Sequence, residues 1–269
     1  MPIYQLDRRE IKAEARGLIR TGSVGPVKMT LLLSGISVVL SLLESAVDAV
    51  SGGVFTGGFS GIPAFSSGPA GFVLVFVSIL VSLVSQVLSA GYTCYCLGIH
   101  RREHMPYASL FDAFSFAGKV ILLTIVQGIF VFLWSLLFVI PGIIASYRYA
   151  FAMLDLCQNP ELGVMEALDL SKRQTLGYKW QLFVLQLSFI GWSLLVLGAF
   201  LVYELLIAAL LPDSFPGIML GSLLLSVLVF AAQLYLTPYI ELSVCGFYLR
   251  ATAAPEEPQL PHSGWSSEG

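Results

Sequence analysis

Charge is scarce in this chain. Only 12% of its 269 residues are Asp, Glu, Lys or Arg, about half the share found in a soluble globular domain. That excludes an ordinary water-soluble domain. The net charge is −3 with no dominant basic stripe, which excludes a nucleic-acid binder. Histidine is rarer still, with three in all, and His262 lies in the tail. The sequence holds no Gly-x-Ser-x-Gly elbow, no phosphate-cradling Gly-x-x-x-x-Gly-Lys and no His-Glu-x-x-His. Without a general base near a nucleophile, catalysis has no basis, so no enzyme and no cofactor are expected. There are four cysteines, Cys94, Cys96, Cys157 and Cys245. All fall near predicted helix ends on the cytoplasmic side, where a reducing environment argues against disulfides.

Apolar residues make up 57% of the chain, and the mean hydropathy is +0.83. Crossing a bilayer takes about 20 mostly apolar residues in a helix. Six stretches qualify, 27–50, 72–98, 120–140, 143–156, 182–211 and 217–248, predicting an all-α bundle. The fourth is short and contains Arg148 and Asp155, but the Pro141-Gly142 pair before it is a turn signal. Orientation also requires it. With six spans, thirteen of the fourteen Lys and Arg residues fall on one side, which marks the cytoplasm. Both termini are then cytoplasmic. No cleavable secretion signal is expected, because about 25 residues precede the first apolar run.

The remaining segments are polar or irregular. Residues 1–26 form a cytoplasmic N-terminal part in which 7–20 reads as an amphipathic helix, with Ile11, Ala15, Leu18 and Ile19 on one face. Such a helix lies on an anionic leaflet or simply leads into the first span. The Gly-, Ser- and Phe-rich stretch 51–71 is an outside loop. Asn159-Pro160-Glu161 has the composition of a helix start, with a stop at Gly177. Residues 109–116 resemble a shorter surface helix. The tail 251–269 has the composition of a disordered segment. Three junctions share a Gly, then Lys28, Lys119 or Lys179, then an apolar run. Trp134 and Trp192 each open a Trp-Ser-Leu-Leu. This pattern suggests three helical hairpins, although snorkelling lysines are common at membrane helix ends. Gly35, Gly128, Gly191 and Gly198 would permit close helix packing.

Ionisable residues inside a membrane usually face a bundle interior or a cavity. Arg148, Glu204, Glu44 and Asp48 fall into one outer layer of the predicted spans, and Arg148 is expected to pair with Glu204 or Glu44. The layer is either a substrate or ion site or an ion pair that sets helix register. Pro238 and Glu241 form a candidate kink with a carboxylate beside it. Cys96, His100 and His104 are spaced for one helical face and offer thiolate and imidazole ligands for zinc or copper. No fourth ligand is evident, and Pro106 ends the helix.

Several segments resemble one family. They are the Ile-Pro-Gly at 140–142, the Asn-Pro-Glu at 159–161, Ser171-Lys172, Gly177 and the LSFIGW run at 187–192. The segments DRREIKAEAR at 7–16, LFDAF at 110–114 and TPYIELSVCGFYLR at 237–250 fit as well. Together they resemble the bacterial multi-pass membrane family catalogued as domain of unknown function 975. Leu176-Gly177-Tyr178-Lys179 departs from the Lys-Gly-Asn-Lys common there. The resemblance implies six helices in a bacterial membrane and no catalytic or binding residues to carry over. Two classes of function follow from the whole sequence. One is a non-enzymatic scaffold or regulator that engages membrane lipids, a protein partner or a second copy. The other is a small-solute or ion transporter or channel-like protein that uses the charged layer.

Overall fold

Long apolar runs leave the backbone no polar partner but itself, and a helix satisfies each of its N–H and C=O groups internally. The computed structural model describes residues 7–21, 25–50, 69–210 and 215–253, and every regular element among them is helical. In chain order these are α1 (Arg8–Thr21), α2 (Pro26–Val50), α3 (Pro69–His100), a 3-10 segment (Tyr107–Phe116), α4 (Ala117–Leu137), α5 (Val139–Arg148), α6 (Ala152–Gln158), α7 (Val164–Gln174), α8 (Lys179–Leu210) and α9 (Phe215–Thr252). Four stretches are long and apolar enough to cross a membrane: Pro26–Ala46, Val75–His100, Tyr107–Leu137 and Leu225–Thr252. They coincide with the first, second, third and sixth expected spans. Residues 51–68, most of the expected outside loop, and the expected tail beyond 253 lie outside the described residues.

α3 is the hub. It packs against α2, α9, α6, α4 and the 3-10 segment, while α1 lies along α9 and α5 folds back on α4. The core gathers at one end of the long helices. Met29 at the start of α2, Tyr95 and Cys96 near the end of α3, Leu182 at the start of α8 and Phe247 near the end of α9 form one cluster with Ile11 of α1. Val120, Leu123, Leu156 and Leu168 form a second cluster beside it. At the other end the same helices leave large apolar side chains uncovered, including Leu42, Phe76, Leu136 and Leu205. An apolar face of that extent needs a non-aqueous surrounding.

Close helix contact uses glycines other than the expected ones. A Cβ added at Gly35, Gly128, Gly191 or Gly198 would meet nothing within 4 Å. At Gly91 it would lie 2.0 Å from the Leu110 carbonyl oxygen, because the 3-10 segment rests on α3 there. At Gly142 it would strike Ser135 Oγ, also at 2.0 Å, where α5 turns against α4.

Three boundaries differ from the sequence expectation. The chain reverses at Phe138, which is fully extended, and Pro141-Gly142 sits inside the first turn of α5. Proline is tolerated there because the first-turn N–H groups have no intrahelical acceptor. The expected span 143–156 is not continuous: α5 stops at Arg148 and α6 starts at Ala152. α7 does not start at Asn159. Residues 159–162 form a turn, with the Leu162 N–H donating to the Asn159 carbonyl at 3.1 Å. The helix begins after Gly163, whose N–H donates to the Glu166 carboxylate. Gly177 does fall where expected, past the helix end, with a φ of 87° that suits glycine.

The cysteines also differ. Cys94 of α3 and Cys157 of α6 are joined by a disulfide with a Cα–Cα distance of 5.2 Å, well inside the bonding range. The expectation of no disulfide rested on compartment alone and could not register that α6 packs on α3. Cys96 and Cys245 are free and buried.

Candidate functional site

α3 carries Gln86, Ser89 and Thr93 at helical spacing on one face. α4 carries Thr124 and Gln127 in the same manner. Polar side chains repeating at three and four residues in otherwise apolar helices point to a common side. The two faces meet. With Ser146 of α5 and Tyr149 in the break beyond it, they line a cleft of about 430 Å³, a size suited to a small molecule. Gln86 lies fourteen residues before the end of α3, about 21 Å along the axis. Thr124 lies seven residues into α4, about 10 Å along it. The cleft therefore occupies the middle third of these long helices and extends toward their packed end.

The lining mixes these polar side chains with Ala90, Val131, Ala150 and Met153 and carries no formal charge. The Gln86 Nε2 donates to the Thr124 hydroxyl at 3.3 Å, and that hydroxyl donates to the Val120 carbonyl. The Thr93 and Ser146 hydroxyls donate to carbonyls within their own helices. The Gln127 amide hydrogen-bonds no other described residue. Tyr149 is fixed by stacking on Phe130, with ring centroids 5.8 Å apart. Such a set can donate and accept hydrogen bonds.

One wall is the break between α5 and α6. A broken helix frees backbone groups that must find partners. Ser171 of α7 supplies them with one hydroxyl, which donates to the Arg148 carbonyl at 3.1 Å and accepts from the Phe151 N–H at 3.2 Å. The Thr175 hydroxyl lies 3.3 Å from the same Arg148 carbonyl. α7 thus acts as a splint across the break. The Cys94–Cys157 bridge stands one residue from Thr93 and one turn from Met153, which also lines the cleft.

The residues singled out in the sequence are not assembled into one site. Arg148 ends α5 beside α7, where its charge acts on Asp169. Among the described residues no ion pair joins it to Glu44, one of its two expected partners. α5 runs unbroken from Val139 to Arg148, about 15 Å along the axis, and brings the Arg148 carbonyl against Ser171 and Thr175 of α7. The side chains of Asp48 and Glu204 lie outside the described residues. α9 continues through Pro238, and Glu241 faces the Tyr92 and Cys96 side of α3.

The Cys96, His100 and His104 set does not form. α3 ends at His100, and Arg102 follows with a left-handed φ of 58°, so His104 leaves the helical face and is exposed. The His100 Nε2–H donates to the Leu242 carbonyl at 2.6 Å, while Nδ1 stands 3.8 Å from Glu14. Gly246 gives that ring its room, since a Cβ there would come within 3.0 Å of the imidazole. Among the described residues no three His, Cys, Asp or Glu side chains cluster to hold a metal.

α1 is tied down by charge. Arg250 of α9 bonds both Glu10 and Glu14 at 3.2 and 2.9 Å. Lys12 donates to Ser188 of α8 and stands 4.4 Å above the Phe189 ring. Partial burial, with Arg8 and Arg16 nearby, pulls the Lys12 ammonium below its ordinary pKa.

Residues 136–255 match the model of the family described as protein of unknown function (DUF975). The match takes in α5 through α9 and hence the break, its splint and Asn159–Gly177. It is the family that the sequence motifs resemble. No curated protein and no solved structure matches the chain.

Proposed function

We propose that this chain is a non-enzymatic multi-pass membrane protein that takes up a small, uncharged, polar molecule in the cleft between α3, α4 and α5. The reading has six crossings: the four long apolar helices, α8, and the α5–α6 pair as a broken return. The Lys- and Arg-rich ends then lie in the cytoplasm of a bacterial cell, with both termini there. The observation that carries the reading is the set of uncharged polar side chains that α3 and α4 turn into the cleft, since polar side chains at membrane depth usually face a cavity or pathway. Amides and hydroxyls suit a neutral ligand, because they leave no net charge to be balanced. The transport class therefore rests on the cleft and no longer on the charged layer.

The test is water access. In membrane vesicles, a Gln127→Cys variant is treated with a small polar methanethiosulfonate. The background is read from the unsubstituted chain, in which Cys96 and Cys245 are buried. Modification is expected at a rate comparable to that of an exposed His104→Cys control. An inert Gln127→Cys beside a reactive control means a dry cleft and ends this reading.

A second reading has its own observation. Tyr107, Phe111 and Phe114 of the 3-10 segment are exposed at the packed end of α4. Aromatic rings at that level suit lipid headgroups. They favour a scaffold or regulator that engages lipids, a partner protein or a second copy, and a dry cleft would shift the balance toward it.

A further inference from the structure

On the far side of α6 from the cleft lies a polar cluster that the proposed uptake does not use. Asp155 of α6 is 2% exposed and forms no ion pair among the described residues. Its Oδ1 accepts twice, from the Tyr248 hydroxyl of α9 at 2.7 Å and from Gln174 Nε2 at the end of α7 at 2.9 Å. Its Oδ2 has no partner, and neither has the Gln174 Oε1. Both donors thus converge on one carboxylate oxygen, leaving two buried acceptor oxygens on neighbouring side chains with nothing to accept from. The walls are apolar: the Phe151 ring packs edge-on against Tyr248 with centroids 5.1 Å apart, and Leu154 and Leu156 are buried. A buried carboxylate without a positive partner is costly. A side chain kept in that position indicates that something positive belongs there.

We propose that Asp155 Oδ2 and Gln174 Oε1 are two ligands of a binding site for a small monovalent cation, at the joint of α6, α7 and α9. The donors are hard oxygens, which select alkali ions over the softer transition metals. There is one carboxylate, so one positive charge balances the site and a divalent ion would overfill it. A proton would neutralise Oδ2, whereas a bound cation serves both orphaned oxygens. The site is separate from the cleft and does not depend on the uptake reading. Its three elements include the α7 splint, so an ion here would tie the splint to α9.

The test uses the full chain purified in detergent, at fixed pH and fixed ionic strength, with choline replaced stepwise by sodium and, separately, by potassium. The thermal unfolding midpoint is read at each step, because a ligand of the native state raises it with concentration. We expect a saturable rise with one of the two ions. We expect no rise in Asp155→Asn and an apparent affinity weaker by about tenfold or more in Gln174→Leu. If Asp155→Asn does not fold, the wild-type titration and Gln174→Leu still decide. Equal midpoints in sodium, potassium and choline overturn the proposal. So does a response to pH alone, which would assign Oδ2 to a proton.

Discussion

Tyr95 of α3 is wholly enclosed, while Phe76 of the same helix leaves 62% of its surface uncovered. α4 repeats the contrast, with Leu123 fully buried and Leu136 77% exposed. The open ends are the more apolar by sequence, yet it is the packed ends that bury their apolar side chains. What differs is the partner. At one end the short elements α1, α6, α7 and the 3-10 segment fill the gaps between long helices. At the other end the described helices have only their surroundings to face. Burial within the protein and burial within a membrane both satisfy an apolar side chain, and only the first demands shape complementarity.

The largest expected effect tests that complementarity. Gly91→Val places its side chain against the Leu110 backbone and must push the 3-10 segment off α3. We expect a loss of about 3 kcal/mol or more, read as a collapsed unfolding midpoint or loss of monodisperse protein. Gly198→Ala, far along α8 from its packed start and with open space around it, should be neutral or stabilising by up to about 1 kcal/mol. Equal effects at the two glycines would erase the distinction between the ends.

A matched leucine pair sharpens it. Leu123→Ala should cost about 2–5 kcal/mol, as for a buried large-to-small change. Leu136→Ala, measured in the same detergent, should fall within about 0.5 kcal/mol of wild type. Below these comes the splint. Ser171→Ala removes a hydroxyl that serves both sides of the break, while Thr175 still reaches Arg148. The stranded Phe151 N–H should cost about 1–3 kcal/mol, seen also as faster amide exchange at Phe151.

What could be read in advance follows the same division. The long helices were legible because twenty apolar residues leave the backbone few alternatives, and the Gly177 stop because glycine suits a left-handed residue. The cleft left a signal that went unread: Gln86, Ser89 and Thr93 on α3, answered by Thr124 and Gln127 on α4. The break at 149–151 left almost none, since the serine that satisfies its freed groups lies twenty residues later. The disulfide was invisible because it depends on α6 packing against α3. Charged residues misled for a related reason. Depth counted along one span does not show that α7 packs beside Arg148, as the Ser171 hydrogen bond to its carbonyl does.

That last point can be tested at a site where the expected effect is smallest. Asp169 of α7 is exposed, and its carboxyl is held below the ordinary range, chiefly by the hydrogen bond from Lys172 and then by its charge, with Arg173 and Arg148 adding to the field. Because the folded value is lowered, the stabilisation is present above the ordinary carboxylate range and is lost as pH falls through the lowered value. Full exposure keeps it small. Lys172→Gln should let the Asp169 carboxyl titrate measurably higher, as followed by carbon NMR of the side chain in micelles. Arg148→Gln should move it in the same direction by less. An Arg148 in a distant outer layer would be screened from Asp169 and would leave the titration where it was. A null result in Arg148→Gln beside a clear shift in Lys172→Gln would therefore place the Arg148 charge away from α7.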